Sequence, residues 1–127
     1  MSEVKTYAQA IRWTSPPGLN GERLAVCPAI SGVTIAVGLL DNKGFWQGVL
    51  PPPPIVLLSR TEIRKLLDAV AGELLPFEST EDADGDRIVV DEHGDALDVR
   101  VESVDYGDFE VRVSAVPFLA ALRRSLT

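Results

Sequence analysis

The densest charge in the chain lies in residues 78–95, whose sequence ESTEDADGDRIVVDEHGD offers carboxylates at the spacing of a calcium loop. An EF-hand loop requires acidic ligands at positions 1, 3 and 5, glycine at position 6 and a bidentate acid at position 12. Counting from Asp82 places Arg87 at position 6 and His93 at position 12, and the frame that begins two residues earlier lacks an acid at position 1. We therefore expect a solvated acidic turn here and no metal site.

Residues suited to catalysis are scarce in this sequence. His93 is the only histidine and lies in the predicted turn DEHGD, so a histidine-based metal site or a Ser-His-Asp triad has little to build on. Cys27 is the only cysteine and lies in an apolar stretch, which is typical of a small core residue and fits a cytoplasmic protein without an internal disulfide. The sequence also contains no glycine-rich phosphate loop. It therefore predicts a protein that is not an enzyme and has no cofactor.

Charge is distributed unevenly along the chain. Residues 78–110 contain 13 acidic and two basic residues, a net charge of −11, whereas the whole chain carries −7 and the remainder therefore +4. Such asymmetry can give a protein one face that repels and another that attracts a charged partner. One hypothesis is that the acidic segment imitates DNA and binds a basic, nucleic-acid-binding protein. The carboxylates of that face would be Asp82, Asp84, Asp86 and Asp91.

Two helices are predicted. The first begins after Ser59, a suitable N-cap, and Glu62 three residues later completes a capping box. The second is opened by Pro117, because proline is tolerated in a first helical turn. Apolar residues recur at helical spacing along one face of each helix. These residues are Ile63, Leu66, Leu67, Val70 and Leu74 in the first helix, and Phe118, Leu122 and Leu126 in the second.

Strands are predicted where β-branched residues cluster or where apolar and charged residues alternate. Residues 23–30 and 33–40 predict a hairpin. Pro28 should place its strand at a sheet edge or a bulge, because proline cannot donate to a ladder. The remaining predicted strands are 5–13, 55–58, 86–91, 96–104 and 109–116, and a proline-rich strap at 50–54 joins the N-terminal hairpin part to the rest.

Together these elements predict an α+β domain of antiparallel sheets with two helices packed on one side, in the order β-β-β-β-α-β-β-β-α. A chain of 127 residues fits a single domain, 1–127. No apolar run approaches the ~20 residues that a helix needs to span a bilayer, so we expect no membrane partner.

The run IVLLSRTEIRKLLDAVAG is followed, after an interval, by DRIVVD and by ALDVRVESVDYGDFEVRVSAVPFLAALRRSL. This pattern resembles half of a domain of the bacterial DNA polymerase III β sliding clamp, which runs strand, helix, strands, and then a strand that opens the second helix. The N-terminal ERLAVCPAISGVTIAVGLLDNKGFWQGVLP is similar to the hairpin and exit loop that close such a domain. The resemblance implies a rotated order, with the termini between the second helix and the strand that normally follows it.

The resemblance also implies a function. Clamp helices face DNA phosphates, and neutralising phosphate requires Lys or Arg on the helix side away from the core. A one-domain chain of this kind would self-assemble into a homo-oligomer around double-stranded DNA. The DNA-facing residues that the resemblance implies here are Arg60, Arg64, Lys65, Arg123 and Arg124.

A further alternative needs no DNA. The strap 50–54 and exposed strand edges could make the contacts between subunits of a viral particle, since an unpaired strand edge is a template for pairing with another chain. This hypothesis predicts a protein that self-associates whether or not DNA is present.

Overall fold

The computed structural model describes residues 13–18, 21–38, 55–104 and 107–126, which form two antiparallel four-stranded sheets and two helices. The first sheet contains β1 (Trp13–Thr14), β2 (Arg23–Pro28), β3 (Gly32–Gly38) and β4 (Ile55–Ser59). The second contains β5 (Phe77–Glu78), β6 (Arg87–His93), β7 (Ala96–Ser103) and β8 (Gly107–Ser114). The helices are α1 (Arg60–Ala71) and α2 (Ala115–Arg124). The predicted α+β class and element order are confirmed, with β5 as one additional two-residue strand after α1.

The first sheet has the strand order β1-β2-β3-β4, and the predicted hairpin is its β2–β3 pair. The predicted edge position of Pro28 is wrong, because β2 lies between β1 and β3. Pro28 is the last residue of β2, and the described pairs between β1 and β2 end at Val26. The missing N–H of Pro28 therefore falls beyond the described part of the β1 ladder.

Two sequence predictions fall largely outside the described residues. The strand predicted at 5–13 is described only from Trp13, which begins β1. The strap at 50–54 lies outside the described residues altogether.

The second sheet has the order β5-β6-β7-β8, and β7 shows the predicted alternation. Leu97, Val99 and Val101 of β7 are buried, while the charged residues between them are partly exposed. The buried side chains of β7 join Val26 and Ile35 of the first sheet in one apolar cluster, to which both helices also contribute. The core therefore lies between the two sheets and beneath the helices.

The start of α1 follows from its cap. Ser59 has extended backbone angles, and its Oγ accepts a hydrogen bond from the N–H of Glu62 at 3.2 Å. The side chain of Glu62 is buried and accepts a hydrogen bond from the Thr80 hydroxyl at 2.9 Å. The cap therefore fixes the beginning of the helix, and Glu62 ties the first turn to the loop after β5.

The end of α1 comes earlier than the apolar periodicity predicts. Gly72 is the C-cap residue, and its N–H donates to the carbonyl of Asp68 at 2.9 Å. Glu73 follows with a φ of 56°, the left-handed conformation in which helices commonly end. Leu74 consequently lies outside the helix and is 72% exposed, so its predicted place on the buried face is wrong.

α2 begins at Ala115, so the strand predicted at 109–116 is two residues too long at its C-terminal end. Pro117 lies in the first turn of the helix, as predicted. Phe118 is fully buried, and its ring centroid lies 6.0 Å from that of Trp13 in β1. In the described part of the chain, neither helix is long and apolar enough to span a membrane.

The two sheets repeat one arrangement. Each consists of three successive antiparallel strands followed at one edge by the strand that leads directly into a helix, β4 into α1 and β8 into α2. The helices contact each other, and α1 packs on β3 and β4 while α2 packs on β8. The two parts of the described chain, β1 to α1 and β5 to α2, therefore have the same order of elements.

Candidate nucleic-acid interface

The first set of candidate residues lies on the solvent face of α1. Arg60, Arg64 and Lys65 are exposed, whereas Ile63 and Leu66 between them are fully buried. This division follows from the helical period, because residues three or four apart share a face and the intervening ones point away from it. The three cations therefore extend from the helix into solvent.

α2 shows the same division at its C-terminal end. Arg123 and Arg124 are exposed beside the fully buried Leu122. Cations in a last helical turn also complement the negative end of the helix dipole, which favours their position. Each helix thus presents basic side chains on the side that does not contact the core.

These helix cations differ in how they are paired. Within the described ranges, Arg60, Arg64, Lys65 and Arg123 form no salt bridge, while Arg124 has an interaction partner. Nearby acids on α1, such as Asp68, lie beyond ion-pair distance of them. Four exposed cations are therefore available to an external anion.

The direction of the helices sets where these cations lie. Val70 near the end of α1 and Ala115 at the start of α2 line the same groove, so α1 runs toward this groove and α2 runs away from it. At a rise of about 1.5 Å per residue, Arg64 lies roughly 9 Å and Arg123 roughly 12 Å along its helix from the groove. Both helices therefore carry their Lys and Arg in the half that is remote from the groove. We call these halves the basic ends of the helices; they contain Arg60, Arg64 and Lys65 in α1 and Arg123 and Arg124 in α2.

The groove has a volume of about 590 Å³ and was not foreseen from the sequence. Its apolar lining includes Leu75 and Leu97, and its charged lining residues are Glu92 and Asp95. Val116 lines it and is 78% exposed. We call it the acid-rimmed groove. No single motif marks it, because its walls come from α1, the β6–β7 turn and α2, which are distant in sequence.

Asp82, one of the predicted acidic-face residues, is used inside the fold. Its Oδ2 accepts a hydrogen bond from the N–H of Leu57 in β4 at 2.9 Å. Its Oδ1 accepts from the N–H groups of Asp84 and Asp86 at 2.9 and 3.1 Å. The carboxylate therefore closes its own loop and covers a backbone donor on the edge of the first sheet.

The other three acidic-face residues differ among themselves. Asp86 is 7% exposed, and its Oδ1 accepts from the N–H of Val104 at 3.2 Å. Asp84 and Asp91 are exposed, and Asp91 accepts from the N–H of Glu92 at 2.8 Å. Of the four acids, therefore, only Asp84 and Asp91 are exposed, while Asp82 and Asp86 accept hydrogen bonds from the backbone of other segments.

Asp82, Asp84 and Asp86 also form the one cluster in the described residues with the dimensions of a metal site. Their carboxylate oxygens lie within 4.8 Å of one another. Hard cations such as calcium take oxygen ligands of this kind, but they take six to eight of them. Exposed acidic groups at such distances are common without an ion, and the cluster alone defines no metal site.

The outer face of the second sheet carries a chain of cross-strand ion pairs. Arg87 of β6 donates to Glu102, which faces it in the β6–β7 register. Arg100 donates to the same carboxylate at 2.9 Å and lies 3.8 Å from Glu110 across the β7–β8 pair. The hydrogen bond from Arg87 is the largest cause that lowers the pKa of Glu102, and Glu102 in return raises the pKa of Arg87.

A second group of charges lies farther along the same face. Arg112 of β8 donates to Asp98 of β7 at 2.8 Å, and this hydrogen bond lowers the pKa of the Asp98 carboxyl. His93, the last residue of β6 rather than a turn residue, lies 4.0 Å from the same carboxylate. In the described chain, all three arginines of the second sheet are therefore neutralised by neighbouring acids.

Cys27 is 1% exposed in β2, as expected for a core residue, and burial raises the pKa of its thiol. A raised pKa keeps the thiol protonated, so it is a poor nucleophile.

The geometry therefore offers two exposed features, the basic ends of the helices and the acid-rimmed groove. Comparison of the chain with protein-family models, with curated proteins and with solved structures gives no match.

Proposed function

We propose that this chain is a non-enzymatic, DNA-associated accessory protein, similar to a sliding-clamp domain, that self-assembles and contacts DNA phosphates through the basic ends of its helices. The contacts would be independent of base sequence, because Lys and Arg that neutralise phosphates carry no sequence information.

The observation that carries this proposal is the state of the helix cations. Arg64, Lys65 and Arg123 are exposed and, among the described residues, form no salt bridge, although the chain as a whole has an excess of acid. A cation that already pairs with a carboxylate must give up that partner before it can bind phosphate. Cations without such a partner bind phosphate at a lower cost, and they lie on the element that the sliding-clamp resemblance assigns to DNA.

The repeated strand-to-helix arrangement gives independent support. The resemblance implies a strand that enters the first helix and a later strand that opens the second helix, in a rotated order with the termini between the second helix and the next strand. β4 leads into α1 and β8 leads into α2, each from the edge of a four-stranded sheet, which agrees with that implication.

Self-assembly is supported by the outer edge of β8. This strand has eight residues and is the last strand of its sheet in the described chain, so one side of its backbone has no neighbouring strand there. Long unpaired edges readily pair with another chain. The edge of β4 differs, because Asp82 already covers the N–H of Leu57.

The proposal is tested by the anisotropy of a labelled DNA duplex of mixed sequence, titrated at several salt concentrations. We expect the triple variant Arg64→Gln/Lys65→Gln/Arg123→Gln to bind roughly tenfold or more weakly at low salt. The slope of log affinity against log salt should fall by about 0.9 for each phosphate contact that is lost.

The matched control is Arg87→Gln/Arg100→Gln/Arg112→Gln, which removes the same number of cations from the second sheet. It should keep the salt slope of the unmodified protein, because those arginines already pair with acids. Equal losses in both triple variants would indicate only a net-charge effect and would contradict a helix interface. A protein that ignores duplex DNA at low salt would contradict the proposed DNA contact altogether.

The two alternatives have less support from the described residues. A DNA-mimic face would display Asp82 and Asp86, yet both carboxylates accept backbone hydrogen bonds within the fold. The viral-subunit hypothesis depends on the strap 50–54, which lies outside the described residues. Both remain predictions. Binding to a basic protein without DNA would favour the DNA-mimic hypothesis, and assembly without DNA would favour the viral-subunit hypothesis.

A further inference from the structure

Opposite charges lie at the two ends of the pair of helices α1 and α2. Arg64, Lys65 and Arg123 lie in the helix halves remote from the acid-rimmed groove, whereas Glu92 and Asp95 lie in its wall. The charged residues that line the groove are acidic only. The molecule therefore has a basic surface and an acidic surface at different ends of one layer.

The groove and the segment next to it also expose large apolar side chains. Val116 is 78% exposed in its wall, and Leu74, which precedes the lining residue Leu75, is 72% exposed. Large exposed apolar side chains that lie together at a concave site are typical of interaction surfaces. The occupant that fits must combine apolar groups with positive charge.

Arginine and lysine side chains have this combination. Their methylene stems cover apolar surface while the charged heads remain at the rim, where they can pair with carboxylates. The basic ends of the helices on a second copy supply such side chains. Among the described residues, Arg64, Lys65 and Arg123 form no salt bridge that they would have to give up.

We propose that the acid-rimmed groove is the acceptor surface for a second copy of this chain, which inserts the basic ends of its helices between Glu92 and Asp95. The inference names the surface used in the self-assembly part of the proposed function and rests on it. The two surfaces are different, so the contact is head-to-tail, and an open assembly keeps one free groove at one end and one free basic end, available to DNA, at the other. Because the same cations would serve both contacts, duplex DNA and the groove compete for them.

The experiment is light scattering coupled to size exclusion over a range of protein concentrations at low salt. We expect the mass of the unmodified protein to rise with concentration, and Glu92→Lys/Asp95→Lys to associate roughly tenfold or more weakly. The control Asp91→Lys/Asp108→Lys makes the same change in net charge at exposed residues outside the groove lining and should still assemble. Circular dichroism checks that each variant is folded.

A charge exchange identifies the partner surface. Arg64→Glu/Arg123→Glu should also fail to assemble alone, and mixing it with Glu92→Lys/Asp95→Lys should restore association, because opposite charges again face each other. Loss of association in both variants without restoration on mixing would contradict the head-to-tail contact.

Two further results would overturn the inference. If the groove variant associates as strongly as the unmodified protein, assembly uses another surface, such as the β8 edge. A monomeric unmodified protein at all concentrations would contradict the contact between copies. Duplex binding by the groove variant separates this inference from the proposed function, because that variant retains all the helix cations. If the groove variant binds duplex and assembles normally, only the proposed groove contact is contradicted. If assembly depends on the groove but neither the unmodified protein nor any variant binds duplex, only the proposed DNA contact is contradicted.

Discussion

The arginines of the second sheet and the cations of the helices have opposite surroundings, although both lie at the surface. Arg87, Arg100 and Arg112 each pair with a carboxylate of a neighbouring strand or of their own strand. Arg64 and Lys65 have no such partner in the described structure. In the sheet, the strand register brings acids opposite bases, whereas in the helices the acids that lie nearby in sequence remain out of reach.

This difference shows that charge density is a poor guide to a binding surface. The acidic segment 78–110 dominates the sequence, yet much of its charge closes loops or neutralises arginines inside the fold. The three cations of α1 outnumber the two acids of that helix, and none of the three forms a salt bridge in the described residues. Three measurements test this distinction.

The largest effect is expected at Asp82. Asp82→Ala removes the acceptor for the N–H groups of Leu57, Asp84 and Asp86. Leaving such donors unsatisfied should cost about 2 kcal/mol in the free energy of unfolding, measured in urea. The control Asp84→Ala removes an exposed carboxylate of the same loop and should cost much less. Equal stability of the two variants would show that the Asp82 carboxylate does not stabilise this loop more than the Asp84 carboxylate does.

An intermediate effect is expected at the helix cap. Ser59→Ala should lower the free energy of unfolding by about 1 kcal/mol, because it removes the acceptor for the N–H of Glu62. Ser114 occupies the same position before α2 but makes no side-chain cap hydrogen bond, so Ser114→Ala is a matched control with a smaller expected loss. The affinity of Ser59→Ala for duplex DNA should hardly change, because all helix cations remain. A large loss of affinity would mean that DNA binding depends on the stability of α1 and not on the cations alone.

The smallest effect on stability is expected when the pH is lowered. The folded pKa values of Glu102 and Asp98 are lowered, so their stabilising contribution is complete above the ordinary values of 4.5 and 3.8 and is lost as the pH falls below them. The unfolding midpoint in urea should therefore decline on acidification, and Asp98→Asn/Glu102→Gln should flatten that decline. The same slope in this variant and in Asp91→Asn/Asp108→Asn would show that the ion pairs contribute nothing specific.

The sequence alone determined the elements whose causes are local. The Ser59 cap, the buried face of α1 that contains Ile63 and Leu66, and the alternation along β7 all follow from neighbours within a few residues. The helix positions of Arg64, Lys65 and Arg123 were predictable for the same reason, because a helical period fixes which side chains point away from the core. The α+β class followed from the order of these elements.

Only the tertiary structure decided how the charges are used. Asp82 meets Leu57 across 25 residues, and Arg87 meets Glu102 across 15, because strand register and loop packing bring together residues that the sequence separates. The internal position of β2, the early end of α1 that exposes Leu74, and the acid-rimmed groove depend on such contacts too. Local patterns predict which side chains face solvent, but they carry no information about which partner the fold places opposite each one.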